Sequence, residues 1–227
     1  MSADQPEARP AVGEASGPSG IDLYWLPLGA GGSFVRFNGR VYEALSAFFH
    51  RRPRCDLYHS ALIVRLPEGS WVIESAPIRV SDGDERGVVG EGAVGSRRLG
   101  RWRIFRYELR CWQGGQIPDI AEAVGNPRRL SSAPEQVRAL LAAVQVAPTP
   151  VWGRDELDAG EWWNSNSFIA WLLAETGLDA DAIHPPAGGR APGWHAGVIV
   201  AGRAVGDPSS QLGRSDRAAP AGEAALR

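Results

Sequence analysis

The sequence predicts an α+β fold in which an antiparallel β-sheet packs against helices. Two observations carry this. Residues 57-LYHSALIVRL-66 and 71-WVIESAPIRV-80 are β-branched and aromatic runs separated by Pro-Glu-Gly-Ser, the pattern of a hairpin. Beyond residue 130 the period changes from two to between three and four, which is helical.

In chain order, 21-IDLYWLPL-28 is an apolar run that suits a strand, closed by Gly-Ala-Gly-Gly. Residues 40-RVYEALSAFFHRRP-53 place Val41, Leu45 and Phe48/Phe49 at helical spacing, with Pro53 as the stop. After the hairpin, 81-SDGDERGVVGEGAVGSRRLG-100 is glycine-rich and reads as a loop, and 101-RWRIFRYELRCW-112 reads as a strand. Residues 132-SAPEQVRALLAAVQV-146 open with Ser132 and Glu135 in capping-box register and Pro134 in the first turn. They then align Val137, Leu140, Leu141 and Val144 on one face. A second helix starts near Asn164 in 161-EWWNSNSFIAWLLAETG-177 and ends at Gly177. The β-branched run 195-HAGVIVAGRAV-205 predicts a last hairpin. Residues 1–20 and 207–227 lack periodicity and read as disordered tails around one domain, 21–206.

Composition narrows the function classes. Hydrophobic residues make up 44% and charged residues 22%, so a core is available without staples. The formal net charge is −2, every basic side chain apart from the histidines is an arginine, and neither 96-SRRLGRWR-103 nor 51-RRPR-54 is long enough for a nucleic-acid footprint, so no nucleic-acid partner is expected. Cys55 and Cys111 stand far apart without metal-ligand spacing, and neither a metal nor a cofactor is expected. No signal-peptide core or 20-residue apolar span occurs, which predicts a soluble cytoplasmic protein without a transmembrane segment.

Two segments are candidates for chemistry. His59 stands where a strand begins in Tyr-His-Ser-Ala-Leu-Ile-Val, and Ser165 at the N-terminus of a helix in Asn-Ser-Asn-Ser-Phe. A nucleophile at a helix N-terminus gains from free backbone N–H groups and the positive end of the helix dipole, and a histidine on a facing strand supplies a base. The same residues fit plainer roles: Asn164 or Ser165 as a helix N-cap, His59 as a hydrogen-bonded strand residue, Glu74 as a solvated strand-edge carboxylate. Trp162 and Trp163 suit the core, or the wall of a cleft for an apolar group. His195 in Trp-His-Ala-Gly is a rival base, but the predicted strands lie before Ser165, which favours His59. Arg190, after Gly188 and Gly189, suits either a carboxylate or phosphate ligand or a solvated turn.

His59-Ser-Ala-Leu-Ile-Val and Asn164-Ser-Asn-Ser-Phe together resemble the permuted papain-like branch of the NlpC-type superfamily, which includes lecithin retinol acyltransferase-like and PPPDE-like groups. There a His strand precedes a helix that opens with Asn-Cys-x-x-Phe. The resemblance spans roughly residues 21–206 and places Ser165 where the family has cysteine. It implies a circularly permuted papain-like fold and hydrolysis or transfer of an acyl group at an amide, peptide or ester bond. Ser165 would be the nucleophile, His59 the base and Glu74 its orienting carboxylate. Asn164, Asn166, Trp162, Trp163, Arg190 and His195 would border a peptide, amide or lipid-like substrate. A hydroxyl is far less acidic than a thiol and must lose its proton in concert with attack. A silent relative that only binds such a ligand, and a tryptophan-rich interaction module, are the alternatives.

Overall fold

In a computed structural model of the chain, residues 18–28, 55–78 and 87–206 are described. Strands β1 (Gly20–Pro27), β2 (Asp56–Leu66), β3 (Gly69–Pro77), β4 (Val88–Ala93), β5 (Arg106–Gln113) and β6 (Arg128–Ser131) form a sheet in the order β4-β5-β3-β2-β1-β6, and the short β7 (Gly189–Arg190) pairs with β2. The pairings along this order are antiparallel; only β7 runs parallel to its partner, with Leu57 opposite Arg190. Helices α1 (Pro134–Ala143), α2 (Ser165–Glu175) and α3 (Trp194–Gly206) complete the expected α+β architecture. Among the described residues no helix is long and apolar enough to cross a membrane.

Period-two alternation divides the sheet into two faces. Ile21, Leu23 and Trp25 of β1, Tyr58, Leu62 and Val64 of β2, Ile73 of β3 and Tyr107 and Leu109 of β5 join the core built with Val137, Leu140, Phe168 and Ile169 of the helices. The opposite face carries a smaller cluster of Leu26, Ala61, Val72 and Ile117, the last from the segment that follows β5. Central α2 is buried from Ser165 to Leu173, as a helix enclosed by a sheet and its neighbour must be.

The hairpin of β2 and β3 and the helices at 134 and 165 form where the sequence predicts them. Four expectations need correction. Residues 195–205 are not a hairpin but the body of α3. Packing overrides the β-propensity of Val198-Ile-Val: Gly197 and Ala201, four residues apart, form a groove that admits α2. A Cβ on Gly197 would strike Ser167 O and lie 2.7 Å from Trp171 N. Within the expected loop 81–100 lies β4, whose Gly92 has the Tyr107 ring so close that no side chain fits. The strand expected over 101–112 begins only at Arg106, because residues 99–101 and 103–105 form successive 3-10 turns. Helix α1 also starts on Ala133 rather than on a Ser132–Glu135 capping box, and Ser131 Oγ accepts from Ala133 N at 3.1 Å. The helix expected over 40–53 and the tail segments 1–17 and 207–227 lie outside the described residues.

The close approach at Gly197 makes a paired prediction. Gly197→Ala overpacks a backbone-to-backbone contact and should destabilise the protein by about 1–3 kcal/mol. Gly202, also in α3, has open space around its Cβ position, so Gly202→Ala should be neutral or stabilise by up to about 1 kcal/mol. Urea midpoints of the two variants measure the contrast.

Candidate functional site

The Asn164-Ser-Asn-Ser-Phe motif opens α2, and three of its side chains are engaged in holding that end. Asn164 is the N-cap: its Oδ1 accepts from Asn166 N at 2.8 Å and Ser167 N at 3.4 Å, while Ser167 Oγ accepts from Asn164 N at 3.0 Å and completes a capping box. Asn164 Nδ2 donates to Pro192 O at 2.9 Å, and Ser167 Oγ donates to Gly193 O at 2.7 Å. Gly193 adopts φ +80°, and a Cβ there would lie 2.5 Å from Asn164 Nδ2, so the turn before α3 needs glycine twice over.

Asn166 joins this end to the sheet. Its Nδ2 donates to Tyr58 O at 2.9 Å and Pro192 O at 3.0 Å, and its Oδ1 accepts from Ser60 Oγ at 3.0 Å. The asparagine is 2% exposed, so these bonds form in a low-dielectric setting where an unpaired amide would be costly. Helix α2 therefore meets β2 at the residues on either side of His59.

Ser165 differs from its neighbours. It occupies the first helical position and is 6% exposed, yet neither its hydroxyl nor its backbone N–H has a hydrogen-bond partner among the described residues. Ser75 is a second such group. It lies in β3 on the Ile73 face, the helix side of the sheet, and its buried hydroxyl also has no partner among the described residues. Sequence reasoning passed over Ser75, although counting in twos from core residue Ile73 places it toward α2.

The imidazole of His59 belongs to the other face. His59 pairs with Leu26, and Leu26 and Ala61 belong to the smaller cluster, whereas the flanking Tyr58 and Ser60 face α2. Burial pushes the imidazole down to about 4, with Asp119 partly opposing the shift, so the ring is neutral near pH 7. On the α2 face Tyr58 stands where a base was expected. Its ring lies against Gly189 of β7, and burial and the neighbouring Asp56 raise its pKa.

Glu74 shares the face of His59. Its Oε1 accepts from Arg110 Nη1 at 3.2 Å, and Arg110 also bonds Glu108 Oε2 at 2.8 Å, all three groups being buried. The carboxylate is thus held by a guanidinium across the sheet from Ser165. Trp163 is core and Trp162 is 55% exposed. Arg190 is exposed on β7. His195 is exposed in the first turn of α3, with Nδ1 3.9 Å from Asp181 Oδ1. The structure thus gathers Asn164, Ser165 and Asn166 with Tyr58 and Ser60, and holds His59 and Glu74 on the far face.

No protein-family model, curated protein or solved structure matches this chain.

Two measurements check this geometry. Asn166→Asp replaces the donor to Tyr58 O and Pro192 O with an acceptor, so the melt should show a loss of about 2–4 kcal/mol, larger than for Asn164→Asp, which keeps the accepting cap. For His59 the folded pKa lies below the ordinary 6.5, so its contribution is complete above pH 6.5 and disappears as pH falls toward 4. His59→Gln should remove up to roughly 3 kcal/mol of that pH-dependent loss, read from urea midpoints across the range.

Proposed function

We propose that the chain is a permuted papain-like relative that binds an acyl or amide group at the N-terminus of α2 without turning it over. The observation that carries this reading is the contrast within one motif. Asn164, Asn166 and Ser167 are committed to structure, while the hydroxyl and N–H of Ser165, at the positive end of a helix, have no partner among the described residues. A carbonyl oxygen suits that N–H, and Ser165 Oγ offers a further polar contact.

Turnover through a serine needs a base within hydrogen-bond reach of the hydroxyl. The imidazole of His59 is neutral and of suitable chemistry, but it faces away from α2. The order of elements supports the papain-like comparison: an antiparallel hairpin comes first, and a helix opened by Asn-Ser then docks on its first strand. A peptide, an amide and a lipid acyl chain all present the same carbonyl next to apolar substituents.

A covalent probe separates the readings. Under the binding reading a fluorophosphonate leaves the folded protein unlabelled. In a Cys55→Ser background, the thiol introduced by Ser165→Cys alkylates with iodoacetamide faster than an ordinary exposed thiol, since the helix N-terminus favours the thiolate. That rate should be unchanged by His59→Ala and should rise when the reagent carries an alkyl chain. Cys111 contributes little background, because burial pushes its thiol up to about 11. Fluorophosphonate labelling that both Ser165→Ala and His59→Ala abolish would establish the hydrolase instead. An unreactive thiol would leave Ser165 a structural residue of an interaction module.

A further inference from the structure

The segment 96–105 combines arginines with exposed apolar side chains. Between β4 and β5 it leaves the sheet in two 3-10 turns and returns, and it contains Arg97, Arg98, Arg101 and Arg103 without one acidic residue. Ile104 is 62% exposed, Trp102 47% and Leu99 36%. Isolated apolar exposure is ordinary, but large apolar side chains alternating with arginines on one projecting lobe are not.

The charges are available. Arg97 pairs with Glu156 at 2.5 Å, but Arg98, Arg101 and Arg103 have no carboxylate partner among the described residues. The Arg101 guanidinium lies 4.0 Å from the Trp102 ring centroid, and Trp102 meets Phe105 edge-on at 6.3 Å. The base of the lobe is fixed: Val94 N donates to Phe105 O at 2.8 Å and Gly95 N to Trp152 O at 2.9 Å, and Arg154 Nε donates to Gly95 O at 2.8 Å. The lobe therefore presents its side chains from a hydrogen-bonded base.

We propose that this lobe docks the protein on an anionic phospholipid surface. Indole and aliphatic side chains enter the boundary between headgroups and acyl chains, and guanidiniums pair with the phosphates. In a protein with a net charge of −2, three arginines on ten residues without a carboxylate partner among the described residues form a local positive field that selects such a surface. A single-stranded nucleic acid would also attract arginines and stack on tryptophan, but Arg101 already covers a face of Trp102, and Leu99 and Ile104 would gain nothing. The lobe also connects to the candidate site. Arg154, which holds its base, accepts from Trp163 N at 2.9 Å, and Trp163 lies two residues before Ser165. The surface stands independently of ligand binding at Ser165.

The test is co-sedimentation of the full chain with phosphatidylcholine vesicles, with and without phosphatidylglycerol. Binding should require phosphatidylglycerol and weaken as NaCl is raised. Replacing Arg98, Arg101 and Arg103 with Gln should weaken it more than tenfold, since each guanidinium contributes roughly a fivefold factor. The double variant Trp102→Ser, Ile104→Ser should do the same, with Ile104→Ser alone as the check if the double variant melts early. Arg138→Gln, which removes an exposed arginine of α1, should sediment like the parent, which ties binding to this lobe rather than to arginine charge at large. The proposal is overturned by absence of sedimentation, by variants that bind as well as the parent, or by tighter binding to a single-stranded oligoribonucleotide in the same buffer.

Discussion

The side-chain amide of Asn166 joins three parts of the chain that are far apart in sequence. It contacts the backbone of β2 at Tyr58, the hydroxyl of Ser60, and the carbonyl of Pro192 just before α3. Only a group with two donors and an acceptor can serve all three, so neither aspartate nor a hydroxyl replaces it. With that anchor in place, Asn164 and Ser167 close the cap, and the small surface of Gly197 lets α3 lie directly on the backbone of α2. The α2 N-terminus is thereby positioned against β2 by hydrogen bonds as well as by apolar packing.

The same anchor has a consequence for chemistry. It turns Tyr58 and Ser60 toward the helix, and the pleat then turns His59 away. A shift of β2 by one residue would exchange its faces, but Tyr58, Leu62 and Val64 would then leave the core together. The register is held by that apolar set, and the placement of the imidazole follows from it. The far face has its own polar arrangement, in which Arg110 between Glu74 and Glu108 offsets buried charge on adjacent strands.

Much of the fold was legible in the sequence because local pattern and tertiary demand agreed. The hairpin of β2 and β3 alternates cleanly, and α1 and α2 carry breakers at their ends. Where they disagreed, packing decided. Val198-Ile-Val reads as a strand but lies in a helix, because Gly197 and Ala201 fit against α2. Val88-Val-Gly-Glu-Gly-Ala reads as a loop but pairs with β5, because Tyr107 needs the space over Gly92. For the site, motif spacing located the helix end and the strand it meets. It could not locate the face, since period-two alternation leaves the choice between Tyr58 and His59 to the partner strands.

The two proposed surfaces differ in kind. At the α2 N-terminus every other polar side chain of the motif is fixed by neighbours, whereas Ser165 and its amide have no partner among the described residues. At residues 96–105 arginine charge and apolar area are both exposed on the segment between β4 and β5. The hydrogen bonds from Gly95 through Arg154 to Trp163 join the two places by backbone and side-chain contacts rather than by a hinge. A surface that holds the protein on lipid would therefore hold the α2 N-terminus at a set distance from the same lipid. If both proposals hold, such a geometry would favour ligands that carry an acyl chain over ligands that arrive from water, because docking on lipid would raise their concentration near the α2 N-terminus.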